Sequence, residues 1–253
     1  MERFEGRHAV VTGGGRGIGR AIAKSLVAAG ATVTIMGRDR VTLDAAVSAG
    51  DAHAAAVADV TDLAAVQEGV SSAVARHGPV DLMIANAGSA ASMPFLKTTP
   101  AVFRQMLDVN LIGVTNAAHA VLGPMIKRGH GRIIAVGSTA GLKGYPYVTA
   151  YCAAKHAVIG LVRALALETA KTGVTVNAVC PGFTDTDLVA DSLENIMAKT
   201  ARTREQALEE LVRHNPQQRL IDPSEVADAV LFLCGMNARS VTGQAIVVAG
   251  GEI

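Results

Sequence analysis

Short aliphatic, β-branched runs recur along the chain, and between them lie longer stretches whose apolar residues return every three to four positions. The runs fall at His8–Thr12, Thr32–Met36, Ala52–Ala58, Leu82–Ala85, Arg132–Val136, Val174–Val179 and Ala245–Val248. They have strand length, whereas stretches such as Pro100 to Arg128 and Thr149 to Lys171 read as amphipathic helices. Seven strands with helices between them predict an α/β fold, a doubly wound parallel sheet covered on both faces. No Pro/Ser tract, low-complexity run or tandem repeat divides residues 1–253, so a single domain is expected, with Pro124 kinking a long helix.

The first strand runs into Gly13-Gly14-Gly15-Arg16-Gly17-Ile18-Gly19 and then a helical pattern ending at Gly30. A strand, a glycine turn and a helix in that order bring backbone amides and the positive end of a helix to one point, where a side chain would block a pyrophosphate. A dinucleotide site is the expectation. The second strand ends in Gly37-Arg38-Asp39-Arg40, where an acidic residue would bind the 2′-hydroxyl of NAD and a basic one the 2′-phosphate of NADP. Arg38, helped by Arg16, favours NADP(H). Asp39 argues for NAD(H), and a solvated turn opening the next helix is the structural alternative.

Composition narrows the class. The 253 residues are half apolar, include 26 glycines and carry a formal charge of +1, which suits a large globular core and gives no reason to expect a nucleic-acid partner. A charged N-terminus and the absence of a plain apolar run of about 18 residues argue against a signal peptide or membrane span, so a cytoplasmic protein is expected. The three cysteines, Cys152, Cys180 and Cys234, lack metal-ligand spacing; buried thiols and no metal are expected.

The stretch from Ser138 to Lys155 carries the candidate chemistry. Tyr151 and Lys155, four apart on a helical pattern, share one face. An ammonium at about 4 Å would stabilise a phenolate by up to ~4 kcal/mol at an effective dielectric near 20, enough to bring a tyrosine towards neutrality. The phenol would exchange a proton with a carbonyl or alcohol oxygen held by Ser138. His156, one residue off that face, should point away.

With Thr12-Gly-Gly-Gly-Arg-Gly-Ile-Gly19, Asp59-Val60, Asn86-Ala87-Gly88, Asn110, Ser138, Tyr151-x-x-x-Lys155 and Pro181-Gly182 in this order and spacing, the whole chain resembles the short-chain dehydrogenases/reductases. The resemblance implies a Rossmann-like fold and hydride transfer between NAD(P)(H) and a carbonyl or secondary alcohol. It implies that Gly13, Gly15, Arg16, Gly17, Ile18 and Gly19 surround the pyrophosphate, that Asp59 and Val60 meet the adenine, and that Asn86, Ala87 and Gly88 support the adenosine ribose. It further implies Tyr151 as acid/base, Ser138 as oxygen holder, Lys155 on the nicotinamide ribose, Asn110 holding a water of a proton relay, and Pro181, Gly182, Thr184 and Thr186 at the carboxamide. The structural alternatives are a buried bridging role for Asn110, capping by Asp59 and an ordinary helix start at Thr184 and Thr186.

The segment from about 185 to 215 is expected to form a substrate lid, with Leu188, Val189, Leu193, Ile196 and Met197 as apolar cover. With Asn177 to Phe183 before it, it resembles β-ketoacyl thioester reductases, polyketide ketoreductases and 3-hydroxybutyrate dehydrogenases. A 3-oxoacyl thioester on coenzyme A or a carrier protein is therefore the favoured substrate, a small non-thioester alcohol or ketone the alternative, and a non-catalytic dinucleotide sensor a third reading. Lys199, Arg202 and Arg204 are candidates for the phosphates of such a thioester, or else form helical ion pairs. Apolar surface on the helices at 100–128 and 149–171 implies, by the same resemblance, a homodimer or homotetramer.

Overall fold

The computed structural model describes residues 3–200 and 202–253; within them, the side chains of Ile196 and Lys199, two of the expected lid residues, lie outside what is described. The elements are β1 (His8–Thr12), α1 (Gly17–Ala28), β2 (Thr32–Gly37), α2 (Arg40–Ser48), β3 (Ala54–Val57), α3 (Leu63–His77), β4 (Leu82–Ala85), α4 (Pro100–Leu107), α5 (Gly113–Arg128), β5 (Gly131–Val136), α6 (Thr149–Thr169), β6 (Val174–Pro181), α7 (Asp187–Thr200), α8 (Arg204–Val212), α9 (Pro223–Cys234) and β7 (Ala245–Val248). All seven strands pair in parallel in the order β3-β2-β1-β4-β5-β6-β7. The order reverses at β1, so the crevice beyond the carboxyl ends of β1 and β4 is where a ligand of such a sheet would lie.

Every residue of β1, β4, β5 and β6 is buried, as expected of strands covered on both faces. On one face Ile22 and Leu26 of α1, Leu43 of α2 and Val226 and Val230 of α9 pack with Val33 and Ile35. On the other, Val66 and Val70 of α3, Val121 and Met125 of α5 and Val158 and Val162 of α6 pack with Val10, Met83 and Ile133. Each such aliphatic side chain contributes about 1.5–3 kcal/mol on burial. The expected run Ala52–Ala58 shortens to four paired residues, because β3 is the sheet's edge and has β2 alone as partner.

The long helix expected from Pro100 to Arg128 is one helical path with a break in phase. A π turn over Asp108–Ile112 separates α4 from α5. Pro124 stays inside α5, which stops at Gly129, a residue in the left-handed region at φ 67°. By length and mean hydropathy, the stretches Pro100–Arg128 and Thr149–Thr169 do reach what a membrane span requires, which corrects the expectation from the plain sequence. Here both serve as core helices on one face of the sheet.

α7 and α8 form the segment expected as a lid. Val189 and Leu193 are buried against Ala207 and Leu211, with Phe183 and Met197 alongside, so these side chains build the lid's own small core. Of the expected apolar cover, Leu188 is exposed. α8 starts with a capping box in which Thr203 and Gln206 satisfy each other's backbone amides.

Candidate active site

The glycine loop closes on the end of β4. Gly13 and Gly17 have φ values of 64° and 52°, which glycine adopts without strain. A Cβ on Gly13 would stand 2.8 Å from Asn86 Nδ2, and one on Gly19 would stand 2.2 Å from the Gly13 carbonyl oxygen. Both glycines are thus demanded by packing within the loop. Gly15 packs on Thr42, and Gly17 faces Thr186, whose methyl would lie 3.3 Å from an added Cβ. Arg16 stands at the N-cap of α1 without a side-chain capping bond, and the first turn, with Ile18, holds no acidic residue. An uncapped helix start beside a glycine cradle fits a pyrophosphate.

Asn86 donates from Nδ2 to the carbonyls of Thr12 (2.9 Å) and Gly13 (3.2 Å). The amides of Asn86 and Ala87 both donate to the Thr12 hydroxyl, at 3.0 and 3.1 Å. Asn86 therefore ties β4 to the glycine loop. Thr12, which sequence reasoning did not single out as a site residue, is the hub of that tie. Asn116 was missed as well: buried on α5, it donates to the Val60 carbonyl at 2.8 Å and fixes the chain just after Asp59. Its i+6 relation to Asn110 gives no periodic signal.

At the end of β2, Arg38 extends into solvent with its guanidinium 3.9 Å from Asp59. Asp39 caps α2 by accepting from the Val41 amide at 3.0 Å. Asp59 accepts from the amide and hydroxyl of Thr61, and these bonds hold its carboxyl below the usual range. The cap of α3 is Asp62.

On the opposite wall, Ser138 stands two residues after β5 in extended conformation and its hydroxyl accepts from the Ala140 amide at 3.1 Å. The Ser138 hydroxyl is also close enough to the Tyr151 hydroxyl to oppose the rise of the phenol's pKa. Lys155 is 4% exposed, donates to the Val136 carbonyl at 2.8 Å, and its ammonium lies 5.8 Å from the centre of the Tyr151 ring. Burial pushes the Tyr151 phenol above its ordinary value, with Ser138 opposing, and pushes Lys155 down to about 8. The expected phenol near neutrality is thereby corrected. Lys155 donates one of its hydrogen bonds to the Val136 carbonyl and shares a burial that disfavours both charges. The site holds a neutral phenol, a proton donor. Cys180 lies beneath, its thiol kept neutral by burial; all three cysteines are buried and free.

Asn110 sits in the π turn, fully buried. Its Nδ2 donates to the carbonyls of Ser89 (2.9 Å) and Met106 (3.0 Å). Met106 O is the acceptor that the Asn110 amide would take in an unbroken α-helix, so the side chain replaces a bond the turn disrupts. Its oxygen and the Lys155 ammonium border the same point: a Cβ on Gly88 would lie 2.8 Å from the first and 3.7 Å from the second.

Beyond β6, Pro181 closes the strand and Gly182 pairs with Val248. Thr184 donates to the Gly182 carbonyl and Thr186 to that of Thr184, shaping the turn into α7. Arg16 reaches Asp187 at 3.5 Å, so the lid's first turn meets the glycine loop. Arg202, a candidate for substrate phosphate, instead pairs with Glu210 at 3.1 Å, and Glu210 also holds Arg213 at 2.6 Å. His156 bonds the Cys152 carbonyl of its own helix, turned from the site as expected.

Residues 7–197 match the sequence model of the family described as short chain dehydrogenase. The chain belongs to that family. This short-chain dehydrogenase is 36% identical over 256 residues to an acetoacetyl-CoA reductase of Rhizobium meliloti, covering 97% of this chain and 98% of the relative. Its fold superposes on levodione reductase with a TM-score of 0.94 at 33% identity, over 99% of this chain and 98% of the other. On a variant of actinorhodin polyketide ketoreductase with NADPH, the TM-score is 0.91 at 36% identity, over 97% of both chains. The short-chain dehydrogenase is accordingly an oxidoreductase acting on carbonyl and alcohol groups.

Proposed function

We propose that this enzyme uses NADPH to reduce the ketone of a 3-oxoacyl thioester, with Tyr151, Ser138, Lys155 and Asn110 as its catalytic set. The observation that carries the reading is the contact of the partly buried Ser138 and Tyr151 side chains beside the buried Lys155, at the end of the crevice that begins at the glycine loop. The dinucleotide supplies the hydride.

Ser138 orients the substrate oxygen, and Tyr151, neutral because it is buried, donates the proton that oxygen requires as the hydride arrives. Lys155 keeps positive charge close to the phenol and binds the nicotinamide ribose. Asn110 and Lys155, facing one point near Gly88, hold a water that returns the proton to Tyr151. Gly13, Gly15, Arg16, Gly17, Ile18 and Gly19 hold the pyrophosphate. Asp59 and Val60 hold the adenine, and Asn86, Ala87 and Gly88 the ribose beside it. Pro181, Gly182, Thr184 and Thr186 hold the carboxamide.

Preference for NADPH rests on two side chains. Asp39, the rival for a ribose hydroxyl, spends its carboxylate on the α2 cap, while Arg38 projects with its guanidinium largely in solvent. An arginine there suits a phosphate by forked hydrogen bonding. The likeness to a ketoreductase with NADPH agrees. The thioester follows from the acetoacetyl-CoA reductase relative. The TM-score of 0.94 with levodione reductase supports a second reading, a small ketone that carries no thioester.

A panel of acetoacetyl thioesters and free cyclic ketones, each with NADPH and NADH, tests these readings together. Highest kcat/KM on a thioester with NADPH is expected; activity on free ketones alone assigns the second. The exposed Leu167 on α6 and the partly buried Leu161 and Leu165 support assembly into a dimer or tetramer through that helix.

A further inference from the structure

One buried carboxylate is used by none of the chemistry above. Glu252, next to last in the chain, has a side chain 1% exposed. Its Oε1 accepts from the Tyr145 hydroxyl at 2.5 Å and pairs with Lys143 Nζ at 3.1 Å, while Lys143 also donates to the Glu252 carbonyl at 3.3 Å. The Tyr145 oxygen lies 2.7 Å from the hydroxyl of Thr139, the neighbour of Ser138. With the single phenolic proton on the carboxylate, Thr139 is the donor to Tyr145. Burial first, and then the bond to Glu252, push the phenol well above its ordinary value, so it remains a donor throughout the working range. On its other side, Glu252 Oε2 lies 3.2 Å from where Gly182 would carry a Cβ.

Three segments meet at this carboxylate. The first is the loop after β5, which carries Ser138, Thr139, Lys143 and Tyr145. The second is the turn after β6, where Phe183 stands edge-on to Tyr145 at 6.1 Å. The third is the end of the lid, where His214 contacts both Tyr145 (6.0 Å) and Phe183 (6.3 Å). The same C-terminal segment grips the lid's end a second time. A Cβ on Gly250 would lie 2.0 Å from Asn215 Oδ1, and Asn215 is itself 5% exposed. A carboxylate taken out of water is costly unless paired, and the pairing here selects the one loop whose placement sets the Ser138 hydroxyl.

We propose that Glu252 is a positioning residue: through Tyr145 and Thr139 it bolts the loop bearing Ser138 to the C-terminal segment and the turn after β6, and thereby sets the orientation of the substrate oxygen. The inference rests on the reading of Ser138 as the holder of that oxygen. Its contacts are with the loop and with Gly182 of the turn after β6, so it affects turnover and leaves the pyrophosphate cradle around Gly13 and Gly19 alone.

The experiment is a double-mutant cycle on the full-length enzyme, with Glu252→Ala, Tyr145→Phe, the two combined, and Glu252→Gln, using an acetoacetyl thioester or the best ketone of the panel. Each single variant should lower kcat by about tenfold, and the double variant should be no worse than the poorer single one, the sign that they act as one unit. NADPH affinity and the unfolding midpoint should stay close to wild type. Glu252→Gln, whose amide oxygen still accepts from Tyr145, should recover most of the lost kcat. Retention of kcat within twofold in Glu252→Ala, multiplicative losses in the double variant, or loss of kcat only in step with NADPH affinity or unfolding midpoint would each overturn the proposal. Ser138→Ala, run in parallel, separates the two levels. If it keeps full activity, the reading of Ser138 is wrong; if it is inactive while Glu252→Ala is normal, the positioning role alone fails.

Discussion

Replacing Lys155 by methionine removes a charge that the fold keeps 4% exposed, and the structure gives the size of the effect. Burial lowers the Lys155 pKa from 10.5 to about 8. Each unit is 1.36 kcal/mol, so 2.5 units amount to about 3 kcal/mol. Between these two values the unfolded chain binds the proton and the native protein does not, so stability rises with pH across that window. Below pH 8 the whole penalty is present; above 10.5 it is gone. Methionine carries no such charge and fills nearly the same volume, but it leaves the Val136 carbonyl without its donor at a cost of about 1 kcal/mol. At pH 7 the Lys155→Met protein is therefore expected to be more stable than wild type by about 2 kcal/mol, although inactive. Urea unfolding of both proteins at equal concentration, at intervals from pH 7 to 10.5, gives the difference directly. Groups common to both cancel, and wild type should gain about 3 kcal/mol on the variant across the window. A difference that stays flat with pH, or moves the other way, would refute the claim that Lys155 is held charged at a cost.

Tyr151→Phe should leave NADPH affinity nearly unchanged and lower kcat by roughly 100-fold or more; turnover within a few-fold of wild type would remove Tyr151 as the acid. Arg38→Asp should shift the kcat/KM ratio from NADPH towards NADH, and a wild type that already prefers NADH tenfold would show that Arg38 meets no phosphate. Gly19→Ala forces a Cβ to 2.2 Å from the Gly13 carbonyl, so weakened dinucleotide binding and a lowered melting temperature are expected together; calorimetry with and without NADPH measures both. Arg202→Ala, which breaks the Glu210 pair of the lid, should change KM for a thioester and for a free ketone alike; a selective rise for the thioester would return Arg202 to phosphate binding. Sedimentation at micromolar concentration should show a dimer or tetramer, and a monomer alone would rule out the α6 interface.

Sheet, layers and glycine loop were legible because parallel strands buried on both faces leave uninterrupted aliphatic runs, and because a glycine turn has few alternatives. The grouping of the candidate residues was legible as spacing: Tyr151 and Lys155 do share a face, and Ser138 does lie beside the phenol. What escaped depends on distances across the fold. The Lys155 ammonium also donates to the Val136 carbonyl, 19 residues upstream, a partner that no spacing announces. Asp39 stood beside Arg38 as the rival ribose ligand, and nothing in the sequence showed that its carboxylate accepts from the Val41 amide at the start of α2. Val189 and Leu193 looked like cover for a substrate because an amphipathic helix does not say what it covers; here it covers another helix. Thr12, Asn116 and Glu252 carry no local signature at all, since each works on a partner more than 50 residues away.

The π turn at Asp108–Ile112 has a consequence beyond the hydrogen bonds it rearranges. At 3.6 residues per turn, one added residue rotates everything before it by about 100° relative to everything after it. The apolar stripe of α4 is thus free to face α6, where Met106 packs with Ala150 and Ala154, while that of α5 faces α3 and the sheet. A single straight cylinder would have to choose one of these neighbours. The joint lets one continuous length of chain turn its apolar stripe from one neighbour to another, with Asn110 at the change of phase. Removing one residue there would restore a single phase and turn the apolar stripe of α4 away from α6.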